Sequence, residues 1–95
     1  DVHAVWDGVP FWMELKVSNS NAVRLSPHQI AWAAAYWARG GATFFLVKAP
    51  SLKELYLFEG YKGPSLHDHG LSGTAGHRFE GLGSMFEALR PLAQR

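Results

Sequence analysis

The sequence predicts an α/β fold with a mixed sheet, made of an N-terminal β-hairpin, one buried helix, two further strands and a short C-terminal helix. This expectation rests on an Asp-Gly turn between alternating segments in residues 1–17, a helix with start and stop signals in residues 26–41, and an unbroken apolar run in residues 42–49. A chain of 95 residues makes a single domain, 1–95, whose core is just large enough to fold without cross-links.

The hairpin is predicted from the Asp-Gly dipeptide at residues 7–8, which favours a two-residue type I′ turn. Around that turn, one face of the paired strands is apolar, whereas the other face places Asp1 opposite Glu14 and His3 opposite Trp12. Directly opposed carboxylates destabilise a sheet. A divalent cation held between Asp1 and Glu14 would offset this repulsion.

The helix is predicted from Ser26 as N-cap, Pro27 at the first helical position and Gln29 at the capping-box position. Gly40 and Gly41 provide the stop signal. Between these signals the helix is almost uncharged and its large apolar side chains surround it, so we expect burial on more than one side. Its aromatic residues, Trp32, Tyr36 and Trp37, are therefore interpreted first as core or as the interface of a homodimer, and stacking on bases is the alternative.

The rest of the chain contains fewer clear signals. Residues 42–49 predict a central strand covered on both faces, and residues 54–58 predict the next strand. Residues 59–83 are rich in glycine and histidine, show no periodicity and are predicted to be mostly loop. Helical spacing of apolar residues predicts the C-terminal helix over about residues 84–92. Residues 1–58 are then the core of the domain.

Composition excludes several kinds of site. The chain has no cysteine, which rules out disulfides, thiolate metal sites and cysteine nucleophiles. The formal net charge of +1 neither requires nor forbids a nucleic-acid partner. No segment is long and apolar enough to span a membrane, so no membrane partner is expected, and no secretion signal is recognised, which predicts a cytoplasmic protein.

An ordered set of residues resembles a nuclease family. Asp1, then Glu-Leu-Lys at residues 14–16 on the paired strand, then Gln29 in the first helical turn, is similar to the motif of the PD-(D/E)XK nuclease superfamily. The segments DVHAVWDGVPFWMELK and LSPHQIAWAAAYWARGGATFFLV are similar to the family's core hairpin and to the helix and strand that follow it. VRR-NUC domains and archaeal-type Holliday junction resolvases are the branches it resembles. The resemblance covers residues 1–58 and implies a restriction-endonuclease-like core.

The resemblance implies a DNA endonuclease that hydrolyses phosphodiester bonds with Mg²⁺ or Mn²⁺. By resemblance the catalytic residues are Asp1, Glu14, Lys16 and Gln29, and the metal ligands are the carboxylates of Asp1 and Glu14 with the backbone carbonyl of Leu15. Oxygen ligands are those that magnesium prefers. Lys16 would position the attacking water, and Gln29 would support the metal site or the scissile phosphate. The corresponding biological role is DNA repair or recombination on branched or duplex DNA, in a bacterial, archaeal or phage-infected cell.

Other interpretations of the same residues stay open. Glu14 and Lys16 taken alone also fit a solvated ion pair, and Gln29 taken alone fits a helix cap. The complete set favours the nuclease site, because the ordered combination is hard to meet by chance. The alternative function is a catalytically weak or inactive nuclease-fold module that binds DNA, and a structural subunit without nucleic-acid affinity is a weaker one.

Contacts with DNA are assigned to three further residues. Arg24 lies in the loop beside the predicted site, Lys48 lies on a later strand, and His3 lies on the face of the opposed carboxylates, where packing in the hairpin is its alternative. The His-Asp-His sequence at residues 67–69 and the later His77 are compatible with zinc or manganese, although exposed histidines in such a loop are more often simply solvated. Their role is left open.

Overall fold

The computed structural model describes residues 2–6, 8–49 and 53–95. Within these residues the strands are β1 (Val2–Trp6), β2 (Val9–Val17), β3 (Thr43–Ala49), β4 (Glu54–Glu59) and β5 (His77–Phe79), and the helices are α1 (Pro27–Ala38), α2 (Gly63–His69) and α3 (Leu82–Ala93). A 3-10 turn, Gly60–Lys62, leads into α2. The predicted metal ligand Asp1 and the predicted turn residue Asp7 lie outside the described residues.

The five strands form one mixed sheet in the order β1-β2-β3-β4-β5. β2 and β3 are parallel and are connected through α1, whereas the other neighbouring strands are antiparallel. Parallel neighbours need a crossover connection, which α1 supplies. The mixed sheet with helices therefore confirms the coarse fold prediction, an α+β domain.

The hairpin has the register that the sequence predicts. Val2 pairs with Met13, and His3 pairs with Trp12. Gly8 has a φ of 83°, a value that glycine adopts without strain. The register matters because a slip of one residue would move every side chain of β2 to the opposite face of the sheet.

The sheet separates two apolar layers that share β3 as their central strand. The layer under α3 contains the buried residues Phe44, Leu57, Met85 and Leu89. The layer under α1 and α2 contains Phe45, Val47, Phe58 and Leu66. Alternate side chains of β3 enter opposite layers, so this strand is covered on both faces as its sequence predicts.

Helix α1 is much less buried than predicted. Ala33 is its only buried side chain, and Trp32 and Tyr36 keep 40% and 37% of their surface exposed. The prediction of one buried helix is wrong because α1 packs on the core with one side only, where Ala33 is buried and Ile30 and Trp37 are partly buried. Trp32 and Tyr36 lie outside that contact.

Residues 59–83 are mostly ordered structure rather than the predicted loop, since α2 and β5 lie within them. Helix α2 is anchored by the fully buried Leu66. Asn21, in the loop before α1, donates to the carbonyl of His69 at 3.1 Å and accepts from the amide of Ser72 at 2.6 Å. The conformation at the end of α2 therefore depends on hydrogen bonds to a loop that is distant in sequence, and the local sequence gives little indication of them.

Helix α3 begins two residues before the predicted start and ends one after the predicted end, with Met85, Leu89 and Ala93 buried against the sheet. Three helices are present where two were predicted, because α2 was not recognised. Among the described residues, no helix has the length and apolar character needed to cross a membrane.

Candidate functional site

Strand β2 presents Glu14 and Lys16 on the face of the sheet that carries α1. Glu14 pairs with Phe45 and Lys16 with Val47 of β3, and both of these partners belong to the α1 layer. The side chains of Lys16 and Glu14 are 24% and 22% exposed. An acid and a base thus lie at the margin of an apolar layer, partly shielded from water.

Gln29 connects this strand to the start of α1. The side-chain Oε1 of Gln29 accepts from the backbone amide of Ser26 at 3.0 Å, and the backbone amide of Gln29 donates to Ser26 Oγ at 3.1 Å, which completes a capping box. Its Nε2 donates to Glu14 Oε1 at 2.8 Å. The predicted helix cap is therefore confirmed, and the other end of the same side-chain amide binds the Glu14 carboxylate; the role of Gln29 in a nuclease site stays a prediction.

The same oxygen of Glu14 lies 4.0 Å from Lys16 Nζ. Oε1 of Glu14 is therefore close to two groups, the neutral side-chain amide of Gln29 from α1 and the Lys16 ammonium from its own strand. An ion pair at this distance contributes little to stability when it is exposed to solvent. The pair places the Lys16 ammonium group next to the Glu14 carboxylate, whose orientation is fixed by the hydrogen bond from Gln29.

The backbone carbonyl of Leu15, the predicted metal ligand, faces away from β3. The amide of Trp12 donates to the carbonyl of Ala42 at 2.9 Å, so the backbone groups of even-numbered β2 residues face β3. Those of Leu15 face the other side, where the described pairing with β1 extends as far as Met13. The Leu15 carbonyl therefore points along the sheet toward the hairpin side, whereas the Glu14 side chain leaves the sheet on its α1 face.

The predicted ligand set fits a magnesium ion in its chemistry, since Glu14 and Leu15 both offer oxygen. Asp1, the second predicted carboxylate, lies outside the described residues and stays a prediction. Within residues 2–6, 8–49 and 53–95, no three histidine, aspartate or glutamate side chains form a metal-binding group. The predicted ligand set consists of the Glu14 carboxylate, the Leu15 carbonyl and Asp1, so it does not require three such side chains among the described residues.

A cavity of about 230 Å³ opens beside Glu14 between β2 and α1. Glu14 and Gln29 line it on the polar side, and Trp12 and Trp32 line it on the aromatic side. His28 also contributes to its lining and is exposed. The candidate site is therefore a concave surface with a few converging polar groups and aromatic walls, the usual character of a binding site.

Trp12 and Trp32, which line this cavity, belong to a row of four aromatic rings that sequence analysis did not bring together. His3 stacks on Trp12 with ring centres 4.3 Å apart, Trp12 meets Trp32 edge-on at 5.4 Å, and Trp32 stacks on Tyr36 at 5.2 Å. We call these four residues the aromatic row. The cross-strand pairing of His3 with Trp12 and the four-residue spacing of Trp32 and Tyr36 were signals that pointed to it.

The predicted DNA contacts are distributed over different surfaces. His3 lies on the Glu14 face as predicted, stacked on Trp12. Arg24 is exposed in the loop before α1. Lys48 projects from the opposite face of the sheet, because it alternates with the β3 residues of the α1 layer. The structure therefore does not bring Lys48 together with Glu14.

The remaining histidines do not form a common site. His67 and His69 are exposed on α2, where residues two apart point in different directions. His77 Nε2 lies 3.2 Å from Glu59 Oε2, and Lys62 Nζ lies 3.1 Å from the other oxygen of Glu59. Burial favours the protonated form of Glu59, but hydrogen bonds from its own backbone amide and from His77, together with Lys62, lower its pKa. These contacts link β4, the 3-10 turn and β5.

Comparison with family models, with curated proteins and with solved structures found no match to this chain. The interpretation of the site therefore depends on its own geometry and on the motif resemblance.

Proposed function

We propose that this chain is a Mg²⁺- or Mn²⁺-dependent endodeoxyribonuclease with the restriction-endonuclease-like core of the PD-(D/E)XK superfamily. The observation that carries the proposal is the hydrogen bond from Gln29 Nε2 to Glu14 Oε1 at 2.8 Å, with Lys16 Nζ 4.0 Å from the same oxygen. Three residues from two elements, separated in sequence by a loop, meet at one carboxylate. The resemblance assigned these same residues to one site.

The surrounding fold also supports the proposal. A hairpin, a crossover helix and a parallel third strand follow one another in the order that the resemblance implies. Glu14, Lys16 and Gln29 lie at the junction of these elements, and Glu14 and Gln29 line an open cavity. A solvated ion pair on a strand would need neither the amide of Gln29 nor a cavity next to it.

The described residues have separate tasks in the proposed reaction. Glu14 and the carbonyl of Leu15 hold the divalent cation together with Asp1, and Gln29 fixes the orientation of the Glu14 carboxylate. When bound, the cation supplies charge neutralisation at the scissile phosphate and polarises the attacking water. The Lys16 ammonium donates hydrogen bonds to that water or to a phosphate oxygen, and thereby positions the nucleophile and stabilises developing negative charge.

The proposal is tested by cleavage of labelled DNA. A four-way junction, a duplex and a single strand are each incubated with the parent chain in Mg²⁺, Mn²⁺ or EDTA. We expect metal-dependent cleavage of at least one substrate, and a decrease of about 100-fold or more in Glu14→Gln and in Lys16→Gln. Asp1→Asn tests the ligand that lies outside the described residues.

Two matched variants serve as controls. Glu87→Gln removes a carboxylate from the exposed surface of α3, and Lys53→Gln removes an exposed lysine before β4. Both are expected to cleave as the parent does. Absence of cleavage by a folded parent on all three substrates would contradict the nuclease proposal, and metal-independent binding that survives Glu14→Gln would instead favour an inactive DNA-binding module.

A further inference from the structure

The aromatic row leaves a large aromatic surface in contact with solvent. Trp32 and Tyr36 are 40% and 37% exposed although their rings stack on each other. Trp12 joins them to the hairpin, so the exposed rings form one continuous surface rather than scattered side chains. Continuous exposed apolar surface of this kind marks an interaction site more often than isolated hydrophobic residues do.

The geometry of the row suits a flat ring as its ligand. Trp12 and Trp32 both line the cavity beside Glu14, and their ring planes meet at 83°. A ring that stacks on one indole would therefore present its own edge to the face of the other indole, which is a favourable aromatic arrangement. The amide of Gln29 lies on the polar side of the same cavity, where the edge of a nucleobase offers hydrogen-bonding groups.

The charges around the row suit an anionic strand. Helix α1 has the sequence PHQIAWAAAYWA and contains no acidic residue. Among the residues that line the cavity, the acidic one is Glu14, which the proposed function assigns to the metal. Lys16 lies beside it. Within the described residues, a phosphate backbone that follows the cavity meets the Glu14 carboxylate, whose charge the proposed cation would offset.

We propose that the aromatic row stacks an unpaired nucleobase of the DNA strand that is cut beside Glu14. This inference rests on the proposed nuclease function and defines its substrate class, DNA with a single-stranded flank or an unstacked nucleotide next to the cleaved bond. Stacking of bases on aromatic side chains is tolerant of sequence, because every base has a π-face. The row therefore selects DNA structure rather than base sequence.

The test compares two DNA molecules that differ only in an unpaired segment. One is a duplex with a short thymidine extension, and the other has abasic nucleotides in place of those thymidines. Their affinities are measured by fluorescence anisotropy in EDTA, where no cleavage is expected. We expect the parent to bind the thymidine form about 5- to 100-fold more tightly, and Trp32→Ala to lose this preference.

Trp37→Phe is the matched control, because Trp37 lies on the same helix but contacts Phe44 and Arg95 instead of the row. We expect it to keep the preference for thymidine, and Trp32→Phe to keep part of it. Circular dichroism of each variant establishes that it is folded.

Three results would overturn the inference: equal affinity of the parent for both DNA forms, no binding of either, or equal loss of preference in Trp37→Phe and Trp32→Ala. A parent dimer that Trp32→Ala converts to a monomer, without change in DNA preference, would assign the row to a subunit interface instead. The nuclease proposal is judged separately by metal-dependent cleavage and its loss in Lys16→Gln. It stands if that cleavage is observed while the base preference is absent.

Discussion

Gln29 performs two tasks with one side chain. Its Oε1 accepts from the Ser26 amide, and its Nε2 donates to Glu14. A glutamine at this position is therefore more informative than a capping residue alone, because a glutamate would satisfy the helix equally well but has no hydrogen to donate to a second carboxylate. A glutamate could serve only as the helix cap, whereas the glutamine also donates a hydrogen bond to Glu14.

The two roles of Gln29 can be measured independently. Ser26→Ala removes the cap, and we expect a loss of about 1 kcal/mol in the free energy of unfolding with little change in cleavage. Gln29→Glu keeps an acceptor for the Ser26 amide but opposes a second carboxylate to Glu14. We expect about 10- to 100-fold slower cleavage and a higher Mn²⁺ concentration for half-maximal rate. Equal effects of the two variants on cleavage would contradict this separation.

Glu59 is expected to make stability depend on acidity. Its lowered pKa means that the folded state holds the charged form more strongly than the unfolded chain does. The stabilisation is therefore present above about pH 5, where the unfolded carboxyl is charged, and is lost as the pH falls through the lowered folded value. Chemical denaturation between pH 3 and pH 7 should show the parent losing its advantage over Glu59→Gln in acid. A constant difference over that range would be the contrary result.

Among the elements, the hairpin and the start of α1 were predictable because their signals are local. The Asp-Gly dipeptide and the alternation on both sides define the register of β1 and β2, and the start signals at Ser26 and Pro27 agree with the observed start of α1. The meeting of Glu14 with Gln29 follows once these elements are in place. The resemblance added the expectation that the meeting point is a site.

The predictions that failed depended on tertiary contacts. Helix α2 has only seven residues and β5 only three, too few to show periodicity. The composition of α1 suggested burial on several sides, but which side packs on the core is decided by the fold, and that side carries Ile30, Ala33 and Trp37. The aromatic row was missed for the same reason, since it joins residues of three elements that only the fold brings together.

Asn21 is expected to stabilise the loop before α1 and the end of α2 together. It donates to the His69 carbonyl and accepts from the Ser72 amide. Asn21→Ala should lower the free energy of unfolding by about 1–3 kcal/mol and speed hydrogen exchange of the Ser72 amide. Asn19→Ala, an exposed residue of the same loop, is the control and should change neither quantity. Unchanged exchange at Ser72 in Asn21→Ala would show that this link is not maintained in solution.

At the scale of the whole molecule, the sheet is the shared wall of two apolar layers, and the candidate site lies at the margin of one of them. The layer under α1 and α2 positions Gln29 over β2, whereas the layer under α3 lies on the far side of the sheet. Stability and site geometry are thus coupled most directly through the α1 layer. The sequence predicted a mixed α+β domain, but it did not predict how deeply α1 is buried in its layer.

A core substitution tests the contribution of the α1–α2 layer. Leu66 is fully buried, whereas Leu82 is 56% exposed at the start of α3. We expect Leu66→Ala to lower the free energy of unfolding by about 2–5 kcal/mol through lost burial and an unfilled cavity. Leu82→Ala should change it by less than about 0.5 kcal/mol. Denaturant titration of both variants measures this, and similar midpoints would contradict the assignment of Leu66 to the core.

The measurement that tests the central claim most directly is the location of divalent-cation binding. Manganese selectively broadens the NMR signals of nearby nuclei, so a titration of the isotope-labelled chain with Mn²⁺ identifies the residues around a bound ion. We expect early broadening of the backbone amide signals of residues 13–16 and of Gln29, its loss in Glu14→Gln and its retention in Glu87→Gln. Broadening centred on residues 67–69, or no selective broadening at millimolar Mn²⁺, would contradict a cation-dependent active site at Glu14.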